Sequence, residues 1–219
     1  MKNILYISAS ARSFSENGGE HQSISRALGY EFLSEFKKHS NQVEVIHRDL
    51  SINPPSFIDQ AFIAASFSRG ELSESDKLAL EESDRLIQEV EVADVIVISS
   101  PMYNYGMPAV LKAWFDQVIR INKTFSFDLA RGDSPLRPIL SGKEVVLLSS
   151  WGEFNFRKGE EKSGFNHLSN HVEHLAPYLG ANQLHEIASE YEEFGDERHT
   201  DSKLKAMNDA KVLAMSLAA

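Results

Sequence analysis

Three short clusters of hydroxyl, amide and aromatic residues are spaced for gripping a ligand rather than for breaking a bond. The first is "SASARSFSENGGEHQSIS", residues 8–25, with hydroxyls at Ser8, Ser10, Ser13, Ser15, Ser23 and Ser25. Serines at a helix start place O–H groups beside the free N–H groups of the first turn, at the positive end of the helix dipole. That combination holds a phosphate monoester with little formal charge, and Arg12 would add one charge-assisted contact. The same serines also suit a plain N-cap behind a surface loop. The second cluster, "PMYNYG" at 101–106, follows an apolar run. Pro101 bends the chain away, Met102, Tyr103 and Tyr105 offer apolar walls, and Asn104 can both donate and accept. Gly106 lets the backbone turn back. Such a turn borders a flat heteroaromatic ring, or packs on a neighbouring subunit. The third cluster, "SSWGEFNF" at 149–156, would form a far lip from Ser149, Ser150, Trp151 and Gly152. Gly152 permits close backbone approach. Trp151 and Phe154 either flank a planar ligand or cap the core.

Together the clusters imply a ligand with a phosphate at one end and a flat, hydrogen-bonding ring at the other, which flavin mononucleotide (FMN) satisfies. The G-x-G-x-x-G of a dinucleotide fold and the G-x-x-x-x-G-K-[ST] of a P-loop are both missing. There is no cysteine, so no thiol nucleophile, disulfide or thiolate metal site is available. His167, His171 and His174 share a helical face but lack the Glu of H-E-x-x-H; they read as a solvated face, and no metal is expected. A net charge of −10 argues against nucleic acid and anionic membranes as partners. The N-terminal "MKNILYISASAR" is too short and too alternating for a signal peptide, and no apolar stretch reaches the roughly 18–20 residues of a membrane span. A cytoplasmic location is the expectation. The acidic "EYEEFGDERHTD" at 190–201 reads as a surface loop or helix start, the alternative being that it tunes nucleotide access in a partner subunit.

The elements that must position these clusters alternate. Strands are expected at 3–8, 43–48, 94–100, 144–150 and, more weakly, 183–188; helices at 23–38, 73–92, 109–121, 165–179 and 197–217. Strands three and four are apolar on both faces, as in a covered parallel sheet. Alternating strand and helix over 219 residues predicts a doubly wound α/β domain with ligands beyond the carboxyl ends of the strands. No linker divides the chain, so 1–219 is read as one domain. The connections 51–72 and 122–142 are long enough to carry function or an interface.

The segment "PMYNYGMPAVLKAWFDQVIRINKTF", residues 101–125, resembles the FMN-dependent NADH azoreductases, also called NADH:quinone oxidoreductases. Their pattern is P-M-Y-N-F…P-x-x-L-K-x-[YW]-x-D-x-[VI]-x-R-x-G-x-T-F. The resemblance extends more weakly through "ILYISAS", "SIS" at 23–25, "DVIVISSPMYN" and "SGKEVVLLSSWG" at 141–152. It implies a flavodoxin-like, five-stranded parallel sheet flanked by helices, binding FMN. By the resemblance, Ser10, Ser23, Ile24 and Ser25 would hold the ribityl phosphate. Met102, Tyr103, Asn104 and Tyr105, following Pro101, would border the isoalloxazine, with Ser150, Trp151, Gly152 and Glu153 on its other side. NADH or NADPH would reduce the flavin, and a quinone or azo compound would reoxidise it by two-electron ping-pong transfer. Phe125, Phe127 and Trp151 are candidate walls for that substrate, although dimer packing suits the two phenylalanines equally. Family members are homodimers, and the two long connections are natural interface material. Three departures stand out: a longer loop from Ser10 to Ser23, Asn122 in place of a glycine, and Glu153 in place of a glycine. Rival readings are an NADPH-dependent FMN reductase and a non-enzymatic, flavodoxin-like electron shuttle. A phosphate-sensing receiver domain is discarded, because serines stand where its acids belong.

Overall fold

Runs of Val, Ile and Leu that are apolar on both faces need cover above and below, and a parallel sheet between two helical layers supplies it. In the computed structural model, which describes residues 1–18, 21–40, 42–68 and 70–219, the strands are β1 (Lys2–Ser8), β2 (Val43–Asp49), β3 (Val95–Pro101), β4 (Phe125–Phe127), β5 (Leu136–Pro138), β6 (Lys143–Ser150) and β7 (Ala181–Ser189). Five of them form one sheet in the order β2-β1-β3-β6-β7, parallel throughout. Every residue of β3, the central strand, is buried. Strand order reverses between β1 and β3, so the segments leaving these two strands diverge and open a crevice at the carboxyl rim.

The helices are α1 (Ile24–His39), α2 (Gln60–Ser66), α3 (Glu74–Val92), α4 (Ala109–Val118), α5 (Ser169–Leu175) and α6 (Glu197–Ala218). One face of the sheet packs Leu28, Phe32 and Phe36 of α1 with Ala206, Ala210, Ala214 and Ala218 of α6. The other face packs Leu86 and Val90 of α3, Trp114 and Phe115 of α4 and Val172 of α5. Tyr6 reaches from β1 under α1: its hydroxyl bonds Ser99 Oγ at 3.0 Å and its ring stacks on His47 at 4.6 Å. A Cβ at Gly29 would lie 2.4 Å from that hydroxyl, so the glycine is what allows α1 to sit on the tyrosine. The buried Lys143 ammonium donates to the carbonyls of Glu91 (2.8 Å) and Ala93 (2.6 Å), closing the C-terminal end of α3.

The helix expected at 165–179 is broken. Single 3-10 turns occupy Ser163–Phe165 and Ala176–Leu179 on either side of α5. Asn166 Oδ1 accepts from Ser169 N–H and starts α5 afresh, and Pro177, lacking an N–H, cannot carry α-helical bonding into the last turn. The helix expected to reach 121 stops at Val118, because Arg120 N–H donates to Thr124 Oγ1 instead and Asn122 adopts φ 62°. Both long connections carry structure. Asp59 caps the two-turn α2, and β4 and β5 form a small antiparallel hairpin. Residue 69 of the first connection, and residues 19 and 20 of the loop after β1, lie outside the described residues. Among the described residues no helix is long and apolar enough to cross a membrane.

Candidate functional site

The first wall of the crevice is built where β1 gives way to α1. Ser23 takes an extended conformation at the N-cap, and its Oγ accepts from Arg26 N–H. Among the described residues no hydrogen bond uses the N–H of Ile24 or Ser25, so two donors of the first turn stay free, as at any helix start. Arg26 sets the loop against this turn. Its Nη2 donates to the Ser10 carbonyl at 2.8 Å, to Ser51 Oγ at 2.8 Å and to Asp49 Oδ1 at 2.9 Å. Its Nη1 donates to Ser8 Oγ at 3.0 Å and to Asp49 Oδ2. Burial opposes ionisation of Asp49, but the bonds from Arg26 and Ser51 outweigh it and hold the carboxyl well below its ordinary range. Ser8 Oγ also meets His47 Nε2 at 2.9 Å, and burial keeps that imidazole below its usual pKa.

The second wall is the turn after β3. Tyr103 and Gly106 exchange both backbone bonds, at 2.9 and 3.0 Å, and the residues between them, Asn104 and Tyr105, have φ of 48° and 67°. These are the signs of a type I′ turn. The turn-back therefore rests on the left-handed conformation of Asn104 and Tyr105, not on Gly106 as expected from sequence. A β-carbon makes that conformation costly for Tyr105. Its fastenings are the bond from His167 N–H to the Tyr105 carbonyl at 2.8 Å, the bond from its hydroxyl to Glu153 Oε1 at 3.3 Å, and ring contacts with Phe156 and Phe165. Tyr103 Oη accepts from Ala11 N–H at 3.2 Å, linking this turn to the loop after β1.

The third wall follows β6. Met102 N–H donates to the Ser150 carbonyl at 2.9 Å, and Trp151 N–H to that of Ser189 at 2.8 Å. The chain after β7 folds back over this lip, with Tyr191, Glu192 and Glu193 N–H groups donating to the carbonyls of Glu153, Trp151 and Gly152.

The three walls enclose one cleft of about 370 Å³. Ser10, Arg12, Ser23 and Ile24 line one end, Pro101, Met102 and Tyr103 the middle, and Ser150, Gly152, Glu192 and Glu193 the far lip. A smaller chamber of about 260 Å³ adjoins it, lined by Met102, Asn104, Tyr105, Gly152, Glu153, Phe156 and Glu193. Arg12 lies at the rim as an ion pair with Glu192. Lys162 bonds Glu153 and holds that carboxyl below its ordinary pKa.

Several expected site residues lie elsewhere. Trp151 is fully buried, packed edge-on to Phe156 beneath the lip. Its side chain lines neither the cleft nor the adjoining chamber. Ser25 is also fully buried, its Oγ 3.3 Å from Ser23 Oγ, which leaves its amide as the group available at the helix start. Phe125 lines a separate apolar pocket of about 250 Å³ with Ile58, Phe62, Phe115 and Ile121, and Phe127 is exposed on the hairpin. Within one chain neither phenylalanine joins the cleft. Glu192 and Glu193 belong to the acidic 190–201 segment, which from sequence reads as a surface loop or helix start. Their placement is implied by β7 being the neighbour of β6, which puts whatever follows β7 beside the 150–153 lip.

The chain as a whole is similar to known proteins. The flavodoxin-like fold family matches residues 2–212. An FMN-dependent NADH:quinone oxidoreductase 2 of Idiomarina loihiensis is 50% identical over 220 residues, covering 99% of this chain and 91% of the relative. A protein of the same name from Colwellia psychrerythraea is 51% identical over 218 residues, covering 99% and 100%. Among solved structures, an FMN-dependent NADH-azoreductase from Bacillus anthracis in complex with FMN superposes with a TM-score of 0.84 over the full length of both chains, at 19% identity; this likeness bears on the fold.

Proposed function

We infer, since the chain belongs to the family of FMN-dependent NADH:quinone oxidoreductases of the flavodoxin-like fold, that it holds FMN in the cleft and carries two electrons from NADH or NADPH to quinones and azo aromatics. The observation that carries this reading is the meeting, in one cleft, of free helix-start amides with the Tyr103–Gly106 turn and the Ser150–Gly152 lip. The donor set fits the cofactor. Ser10, Ser23 and the Ile24 and Ser25 amides form an anion cradle with no unpaired cation in it among the described residues, which suits an acidic protein. Beside the cleft, the amides of Asn104 and Tyr105 make no bond among the described residues, and both residues line the adjoining chamber, where such donors suit a polar ring edge. Bound FMN supplies hydride acceptance and hydride donation. The chain's share is orientation and charge. Its fixed amide dipoles favour negative charge developing on a ring, and they need no reorganisation to do so. Met102 borders both the cleft and the chamber, and Phe156 lines the chamber alone. Donor and acceptor share the chamber beside the cleft, so each must leave before the other enters.

The same reading makes the protein a cytoplasmic homodimer. Phe57, Ile58, Ile63 and Phe67 are exposed, and the last three line the pocket that contains Phe125. A patch of this kind suits burial against a second copy. Phe125 then serves packing. Sedimentation at micromolar concentration is expected to give a dimer; a monomer under those conditions refutes this part.

Purified protein is expected to be yellow, or to become so on titration with FMN, and to reduce 2-methyl-1,4-naphthoquinone with a reduced nicotinamide. Protein that neither binds FMN nor turns over the quinone refutes the assignment.

A further inference from the structure

Among the described residues, the rim of the smaller chamber carries one charge without a local partner. Glu192 is paired with Arg12 and Glu153 with Lys162, while Glu193 belongs to no ion pair among the described residues. Its side chain lies along Gly152: a Cβ built there would fall 2.7 Å from its Cδ and Oε1. Cleft and chamber are both bordered by Met102, Gly152 and Glu193, so this carboxylate stands on the partition between them. Its place is fixed from both sides. Glu193 N–H donates to the Gly152 carbonyl at 3.1 Å, and Tyr191, two residues earlier, stacks on Phe154 at 4.6 Å and 18°. Arg198 covers Tyr191 and Phe194 from outside.

We propose that Glu193 is a charge filter on the electron acceptor, so that the chamber takes neutral or cationic quinoid aromatics and disfavours those bearing a sulfonate or carboxylate. The proposal rests on the function assigned above. Met102 and Phe156 give an aromatic ring apolar wall. An anionic substituent entering the same space meets an uncompensated negative charge, because the two cations at the rim are already engaged. The net charge of −10 acts in the same direction at longer range. Glu193 is exposed, so solvent screens it and the selection is modest and salt-dependent.

The test compares kcat/KM for 2-methyl-1,4-naphthoquinone and 1,4-naphthoquinone-2-sulfonate in the wild type and in Glu193→Gln. The anionic-to-neutral ratio is expected to rise about fivefold in the variant at low ionic strength, and this gain shrinks as salt is added. Both acceptors meet the same reduced enzyme, so any change in flavin potential is common to them and cancels. Calorimetric affinities of 2-naphthol and 2-naphthalenesulfonate make the same comparison without turnover. An unchanged ratio overturns the proposal. Equal changes for both members of a pair also overturn it, since they mark Glu193 as a prop for the lip. Turnover without discrimination sinks the filter alone. Discrimination in the naphthalene pair without flavin-dependent turnover sinks the assigned function, and with it the selection among electron acceptors, and the missing turnover tells this failure from that of the filter alone.

Discussion

Replacing Arg26 by Met keeps most of the apolar stem and removes the fork that joins β1, β2 and α1. The side chains of Arg26 and Asp49 are 11% and 13% exposed, so the pair is largely withdrawn from water. Breaking a buried pair by deleting one partner costs about 3–5 kcal/mol when the survivor has nothing else. Here Asp49 keeps the Ser51 N–H at 3.0 Å, the Ser51 hydroxyl at 2.8 Å and the Ile52 N–H at 3.3 Å, which reduces the expected loss to about 2–3 kcal/mol. Urea unfolding of the FMN-free protein measures it. Adding Asp49→Asn to Arg26→Met removes the stranded charge and is expected to recover about 1 kcal/mol. The bond to the Ser10 carbonyl is lost as well, so FMN should dissociate about tenfold more readily. The pH dependence has a definite sign. The folded-state pKa of Asp49 is depressed, so the pair's stabilisation is complete above the unfolded value of about 3.9 and is lost as pH falls through the folded one. The gap between wild type and variant should therefore narrow in acid. A loss below about 0.5 kcal/mol, or a gap unchanged between about pH 7 and about pH 3, refutes the clamp.

Gly29→Ala places a methyl 2.4 Å from a tyrosine hydroxyl that is bonded to Ser99 and cannot retreat; despite better helix propensity it should lose about 1–3 kcal/mol in urea unfolding. Ser23→Ala removes the N-cap acceptor and should cost about 1 kcal/mol; fluorescence titration should show weaker binding of FMN with riboflavin unaffected, because only FMN carries the phosphate. Trp151→Phe acts under the lip, where the indole N–H has no partner among the described residues. It should lower stability by about 1 kcal/mol and leave KM for 2-methyl-1,4-naphthoquinone unchanged.

The sheet was legible because its central strands are unbroken aliphatic runs, and a run such as "DVIVISS" has few other ways to be buried. The cleft was legible in outline for a related reason: parallel strands put the residues after 8, 100 and 150 on one rim. Side-chain direction was not. Trp151 and Gly152 are neighbours in sequence, yet one is fully buried beneath the lip and the other lines the cleft. Pattern alone gives no sign of which a large aromatic will do. Short elements escaped for want of length. The two turns of α2 and the three-residue strands β4 and β5 hold too few periods to register, and their stability comes from the residues they cover. The break at Pro177 is readable from a proline inside a helical pattern, since proline lacks the N–H that continued α-helical bonding needs. Glu193 needed strand order, which periodicity does not supply.

The left-handed Tyr105 gives the turn after β3 a dependence on residues far along the chain. Its conformation is disfavoured in isolation, and among its fastenings are a backbone amide at His167 and a ring at Phe165. The stretch 163–167 sits outside both the cleft and the chamber, yet it helps set the angle at which Asn104 meets the chamber. Natural variation there offers a remote dial, able to retune the ring environment while every residue of the pocket itself stays the same.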